Sequence, residues 1–188
     1  MPRVFAMPLT VRYLFDKNRL AATAIVDLWT DLNISEFDIL LFPIHRNHHF
    51  TMSIVDLRKN EIQFYDSSNT RELDVMNSFD GIDAFLRLRY NHVMNGDIQF
   101  TIKIIENLPK QQNRNDCGVF AVFYAEFYSR SRNITFSQQE IPYFRQFSMK
   151  IIVNESIKRN SILVKYTLVD LFGTNSTEKC ECDTSLAL

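Results

Sequence analysis

Cys117-Gly-Val-Phe-Ala-Val-Phe-Tyr-Ala-Glu-Phe-Tyr128 is the stretch that decides the fold. Val119, Phe120, Ala121, Val122, Phe123, Tyr124, Ala125 and Phe127 leave it no polar face. A helix that is apolar all round is buried on all sides, so other elements must enclose it. Upstream, Asp38 to Ile44 is a short apolar run that reads as a buried strand stopping near Pro43. Phe50, Met52, Ile54 and Leu57 read as a second strand, and Ile62 and Phe64 alternate in a third. Arg58-Lys59-Asn60-Glu61 between them is turn chemistry, so these two strands form a hairpin. Ile98, Phe100, Ile102 and Ile104 predict a half-exposed strand.

Helical spacing marks Leu20 to Leu32, which carries Trp29, and again Val75 to Val93. Downstream of the buried segment, Pro142 reads as the first residue of another helix, where its missing N–H costs nothing. Phe144, Phe147, Met149 and Ile151 are its expected buried stripe. Strands, then a buried helix, then an amphipathic one, make an α+β domain. The domain is expected over residues 1–172, with a polar tail from 173 to 188.

Composition narrows the function. The chain has 188 residues, enough to bury roughly 70% of its unfolded surface without a metal or disulfide staple. With 46% hydrophobic residues it is not a disordered chain, and a net charge of −1 is not the footprint of a general nucleic-acid binder. The cysteines, Cys117, Cys180 and Cys182, form no disulfide framework. Cys180-x-Cys182 lacks the second ligand pair that zinc requires, so neither metal nor cofactor is expected. A reducing interior, nucleus or cytoplasm, fits free thiols. No apolar run reaches membrane-span length, and no membrane partner is expected.

Cys117 is the residue with chemistry to offer. At a helix N-terminus it feels the positive end of the dipole, which favours the nucleophilic thiolate. Taken alone, it reads more readily as a small buried hydrophobe, which is what most cysteines are. A thiol nucleophile also needs a histidine to pair with the thiolate and protonate the leaving group, and a third group to orient that histidine. His49 begins the second strand and Asp66 ends the third. The open ends of a hairpin are neighbours, so the two side chains can meet. His48, adjacent on the strand, is expected to point away. Gln111, in the loop leading to Cys117, can supply an amide to a developing oxyanion beside the Cys117 N–H.

The order His, Asp, Gln, Cys-Gly carries more than any one of these residues. His49-Phe50-Thr-Met-Ser-Ile-Val-Asp-Leu-Arg-Lys, Phe64-Tyr65-Asp66-Ser67 and Gln111-Gln112-Asn113-Arg114-Asn115-Asp116-Cys117-Gly118 resemble three motifs of one family. It is the Ulp/sentrin-specific cysteine proteases, which process SUMO and related ubiquitin-like modifiers. Phe136-Ser-Gln-Gln-Glu-Ile-Pro142-Tyr-Phe-Arg145 resembles the helix entry that follows in animal members. The likeness runs from about Trp29 to Ile157.

The resemblance implies a papain-like fold, with a mixed sheet packed against the helix that carries Cys117. It implies a monomeric enzyme that cuts after the C-terminal glycines of SUMO or a related modifier. The catalytic set it implies is His49, Asp66, Gln111 and Cys117. Phe50, where the family usually has a Trp roofing the substrate tunnel, and Trp29 are the implied substrate-binding residues. The family's N-terminal Trp-Leu-Asn-Asp segment has no counterpart in this sequence. That makes a weakly active or inactive modifier-binding protein the alternative expectation.

Overall fold

The computed structural model describes residues 1–8, 33–68, 79–87 and 99–158, with side chains as far as residue 152. The helix expected over Leu20 to Leu32, with Trp29, and the tail carrying Cys180 and Cys182 lie outside the described residues. So does most of the Val75 to Val93 helix, whose residues 79–87 are helical as expected.

Among the described residues, five strands form one mixed sheet in chain order: β1 (Val4–Ala6), β2 (Ile39–Arg46), β3 (His49–Asp56), β4 (Glu61–Tyr65) and β5 (Thr101–Ile104). The two inner pairings are antiparallel and the two outer ones parallel. The other described elements of length are α1 (Cys117–Ser129) and α2 (Ile141–Lys158). Successive strand residues face opposite sides, and both sides of this sheet are covered. Leu40, Phe42, Ile44, Val55, Ile62 and Phe64 join Phe79, Ile82, Phe85 and Leu86 of the 79–87 helix in one core. Ile39, Met52, Ile54 and Tyr65 join α1 in the other. None of the thirteen residues of α1 is exposed, in keeping with its all-apolar sequence.

Several local expectations need correction. β2 does not stop near Pro43 but runs through it to Arg46. Leu41 turns its carbonyl toward β1, where Met7 N–H donates to it, so Pro43 two residues on faces the same way. β1 has ended by then, and the missing N–H leaves no ladder bond unmade. β5 is shorter than its alternating run, and Ile102 and Ile104 are exposed rather than half-covered. It is an edge strand, anchored by the flanking Phe100 and Ile105, which pack against the two cores.

α2 begins one residue before Pro142, after a 3₁₀ turn at Gln138–Glu140 closed by a capping box between Ser137 and Glu140. Its expected buried stripe is largely absent. Ile141 and Phe144 are buried, whereas Phe147, Met149 and Ile151 are exposed. The helix docks by its first turn, where Phe144 stacks on Phe123 with ring centres 3.9 Å apart.

Phe136 joins α1 to α2. Its ring centre lies 5.3 Å from that of Phe120 and 5.5 Å from those of Phe127 and Phe144. Phe136→Ala is expected to cost about 3–5 kcal/mol, as for other large core truncations. Urea denaturation followed by tryptophan-independent far-UV CD measures it.

Candidate active site

A tight turn sets the position of His49. Asn47 and His48 both adopt positive φ, 49° and 60°, closing the β2–β3 hairpin with a two-residue loop of the primed type. His48 is therefore exposed at the tip of a turn, not on the strand as expected, and it points away for that reason. His49 is the first residue of β3. At the other end of the β3–β4 hairpin, buried Asp56 accepts a hydrogen bond from the Tyr128 hydroxyl of α1 at 2.8 Å. The hairpin is thus held against α1 at both ends, and its open end faces the first residue of that helix.

There the structure brings His49, Asp66 and Cys117 together. His49 Nε2 lies 2.6 Å from Asp66 Oδ1, and Asp66 is buried. With Nε2 so engaged, Nδ1 is the nitrogen left for Cys117, and the imidazole favours the thiolate form of the sulfur. Backbone N–H groups of Phe50 and Gly118 favour the thiolate as well. Burial pushes the Cys117 thiol up, but His49 and those two N–H groups outweigh it and hold its pKa below the usual thiol range. For His49 burial works downward, but the bonds to Asp66 and Cys117 prevail and lift its pKa to about 9. Between the two pKa values the pair exists as thiolate and imidazolium.

Asp116, the residue before the nucleophile, is a buried carboxylate next to a developing thiolate. Three partners compensate it. Arg145 of α2 donates to Oδ1 at 2.5 Å, while Gln138 and Asn113 each donate to Oδ2 at 2.6 Å. Burial raises the Asp116 pKa, but these partners hold it below the usual carboxylate range. Its side chain makes no capping bond to α1, so the first N–H groups of that helix are not spent on it.

Gln111 reaches the cluster through Ser67. The Ser67 hydroxyl donates to Gln111 Oε1 at 2.8 Å, and Gln111 Nε2 donates to the Asn113 carbonyl at 2.7 Å. Lys110 Nζ donates to the carbonyls of Asp66 and Ser68, and Gln111 N–H to that of Ser67. Three consecutive carbonyls are thus tied to the loop that leads to Cys117. Phe50 stacks on His45 with ring centres 4.4 Å apart and packs against the α1 core. Among the described residues no group of three or more His, Cys, Asp and Glu side chains is placed to hold a metal.

Sequence reasoning missed the backbone donors at Phe50 and Gly118, the Arg145–Asp116–Gln138 cluster, and Ser67. Backbone donors leave no mark in side-chain patterning. Arg145 lies 29 positions from Asp116, so only the packing of α2 pairs them.

Residues 21–159 match the Ulp1 protease family, C-terminal catalytic domain. The chain belongs to the Ulp1 protease family. Among curated members it is 32% identical over 138 residues to a sentrin-specific protease of Caenorhabditis elegans, covering 71% of this chain and 19% of that protein. It is 29% identical over 136 residues to ubiquitin-like-specific protease 1A of Arabidopsis thaliana, covering 66% and 26%. The chain therefore spans a quarter or less of the length of the first and about a quarter of the second. The Ulp1 fold itself is shared with the C-terminal protease domain of Ulp1 solved in complex with Smt3, the yeast ortholog of SUMO. That match has a TM-score of 0.69 at 20% identity and covers 83% of this chain and 70% of the other. In this Ulp1-family chain, Asp116-Cys117-Gly118 opens the buried helix and His49 heads the hairpin strand.

Proposed function

We propose that this chain is a cysteine protease that cuts after the C-terminal glycines of a ubiquitin-like modifier of the SUMO type, in precursors or conjugates. The observation that carries the reading is His49, 2.6 Å from Asp66 and electrostatically coupled to Cys117 at the start of a buried helix. Relatives whose names specify sentrin or ubiquitin-like proteins supply the substrate class. A non-catalytic modifier-binding protein is not favoured, because binding alone has no use for a paired thiolate.

The steps follow from the geometry. The Cys117 thiolate attacks the carbonyl carbon of the terminal glycine, and the C=O pair moves to oxygen. That oxyanion is received by the Cys117 backbone N–H and by the Gln111 side-chain N–H not used by Asn113. The C–N bond then breaks as the His49 imidazolium protonates the leaving amine. The modifier is left as a thioester on Cys117. His49, now neutral, takes one proton from water as that water attacks the thioester. The carboxylic acid is released, giving its remaining proton to solvent, and the ion pair is regenerated. Phe50, and Trp29 outside the described residues, are assigned to the glycine-binding groove. The catalytic domain is assigned to residues 1–172, and the working compartment to nucleus or cytoplasm, where the thiolate stays reduced. No helix among the described residues is long and apolar enough to cross a membrane.

The test is covalent capture. SUMO carrying a C-terminal vinyl sulfone is expected to add to Cys117, with one modified site by mass spectrometry and no adduct in Cys117→Ala. Ubiquitin with the same warhead is expected to react far more slowly. Lack of a SUMO adduct with a folded chain would overturn the reading.

A further inference from the structure

We propose that Ser67 is a positioning residue that holds the Gln111 amide in place for the scissile carbonyl, while the Asn113 carbonyl sets which end of the amide is the donor. The inference rests on the protease reading above and assigns a residue that the reading does not use.

An amide donor at an oxyanion hole has a fault that a backbone N–H lacks. Its two ends are nearly the same shape and opposite in character. The Nε2 end stabilises an oxyanion, whereas a rotated amide turns its oxygen lone pairs on the same charge. Something must therefore fix the rotation of the Gln111 amide. Two contacts do so. The Asn113 carbonyl can only accept, so the group it meets at 2.7 Å is Nε2. The Oε1 end then falls on Ser67, whose hydroxyl can donate and does so at 2.8 Å.

The two anchors differ in strength. Asn113 is in an exposed loop, where water competes for its carbonyl, whereas Ser67 is 1% exposed. The buried contact is also made twice, because Gln111 N–H donates to the Ser67 carbonyl at 3.0 Å. Backbone and side chain of one residue thus grip backbone and side chain of the other. One N–H on Nε2 is spent on Asn113, which leaves the second for the substrate.

Ser67 also sits at a junction. It directly follows Asp66, whose Oδ1 accepts from His49 and from Ser68 N–H. One three-residue segment therefore carries the group that orients the histidine and the group that orients the oxyanion donor. The first acts through the Asp66 carboxylate and the second through the Ser67 hydroxyl. The two functions are separable by substitution.

The test is a double-mutant cycle on the intact chain with SUMO–aminomethylcoumarin as probe, reading kcat, KM and the iodoacetamide alkylation rate of Cys117. Ser67→Ala is expected to lower kcat roughly tenfold or more, the scale of one lost buried hydrogen bond plus a loosened amide. KM and the alkylation rate should stay near wild type, because ground-state binding and the thiolate are not what Ser67 serves. In a Gln111→Ala background the same substitution should add almost nothing, and Ser67→Thr, which keeps the hydroxyl, should recover most of the rate. If Ser67→Ala melts early, Ser67→Cys, close in shape and a weak donor, carries the comparison. Unchanged kcat in Ser67→Ala, or losses that multiply fully with those of Gln111→Ala, would overturn the Ser67 role alone. A wild-type chain that alkylates at Cys117 but does not hydrolyse the probe would overturn the protease reading, and the Ser67 role with it.

Discussion

Cys117→Ala and Cys117→Ser are expected to abolish cleavage of SUMO–aminomethylcoumarin while leaving the chain folded. Cys117 is small and its helix is held by Phe120, Phe123, Tyr124 and the rings around them, so losing one sulfur leaves the core intact. Chemically the loss is complete. Alanine offers no nucleophile. Serine offers a hydroxyl whose pKa lies far above any value that His49 can match, so the ion pair that primes the sulfur cannot form. A fall of roughly 10⁴-fold or more is the scale for removing a nucleophile from a coupled set. His49→Ala should approach the same loss, since it removes both the partner that lowers the thiol pKa and the acid for the leaving amine. Asp66→Asn should cost less than either. An amide oxygen still accepts from His49 Nε2, and Cys-His-Asn sets work on papain-like folds. Steady-state rates with CD spectra of each variant check the ranking; wild-type turnover by folded Cys117→Ser would contradict it.

The second large effect is expected at Gln111. Gln111→Ala should lower kcat by about 10²–10³, the usual cost of one oxyanion donor, with a smaller change in KM. The donor matters where charge develops, so the ground state loses little. Cys117 alkylation should be nearly unchanged, because Gln111 is absent from the groups that set the thiol pKa. That contrast separates it from His49→Ala, which should depress both. A Gln111→Ala chain that loses alkylation as well as turnover would place Gln111 in support of the nucleophile instead.

The parts of this molecule that patterning reveals are those decided by burial. Val119 to Phe127 has no polar residue except Glu126, and it became the enclosed helix. Ile62 and Phe64 alternate, and they line one face of β4. The meeting of His49 with Asp66 follows from a hairpin alone, since the residues at its open ends have no choice but to be near. What patterning does not show is which side of an element has a neighbour. Pro43 reads as a strand terminator until β1 is known to stop before it. Phe147 and Ile151 keep helical spacing with Phe144, yet both are exposed while Phe144 is buried, so the period overstated the contact. The Asn47-His48 turn was legible in principle. Asn tolerates positive φ, and a two-residue loop before an alternating strand is a hairpin signal. The pairings of Arg145 and Ser67 were not legible, because their partners come from distant segments that only the packed fold brings near.

The pKa directions give turnover a definite dependence on pH. Cys117 titrates below the ordinary thiol range, so activity on an isopeptide conjugate rises from the acid side as the thiolate forms. His49 keeps its proton up to about pH 9 and loses it above, so the acid for the leaving amine disappears there and activity falls.

The pH dependence of Cys117 alkylation by iodoacetamide, in wild type and in His49→Ala, tests the central claim without any choice of substrate. The account predicts that wild-type reactivity climbs and levels off below the ordinary thiol pKa of about 8.5, whereas in His49→Ala the curve moves up toward that value. A wild-type curve that follows an ordinary thiol, and does not move when His49 is removed, would contradict it.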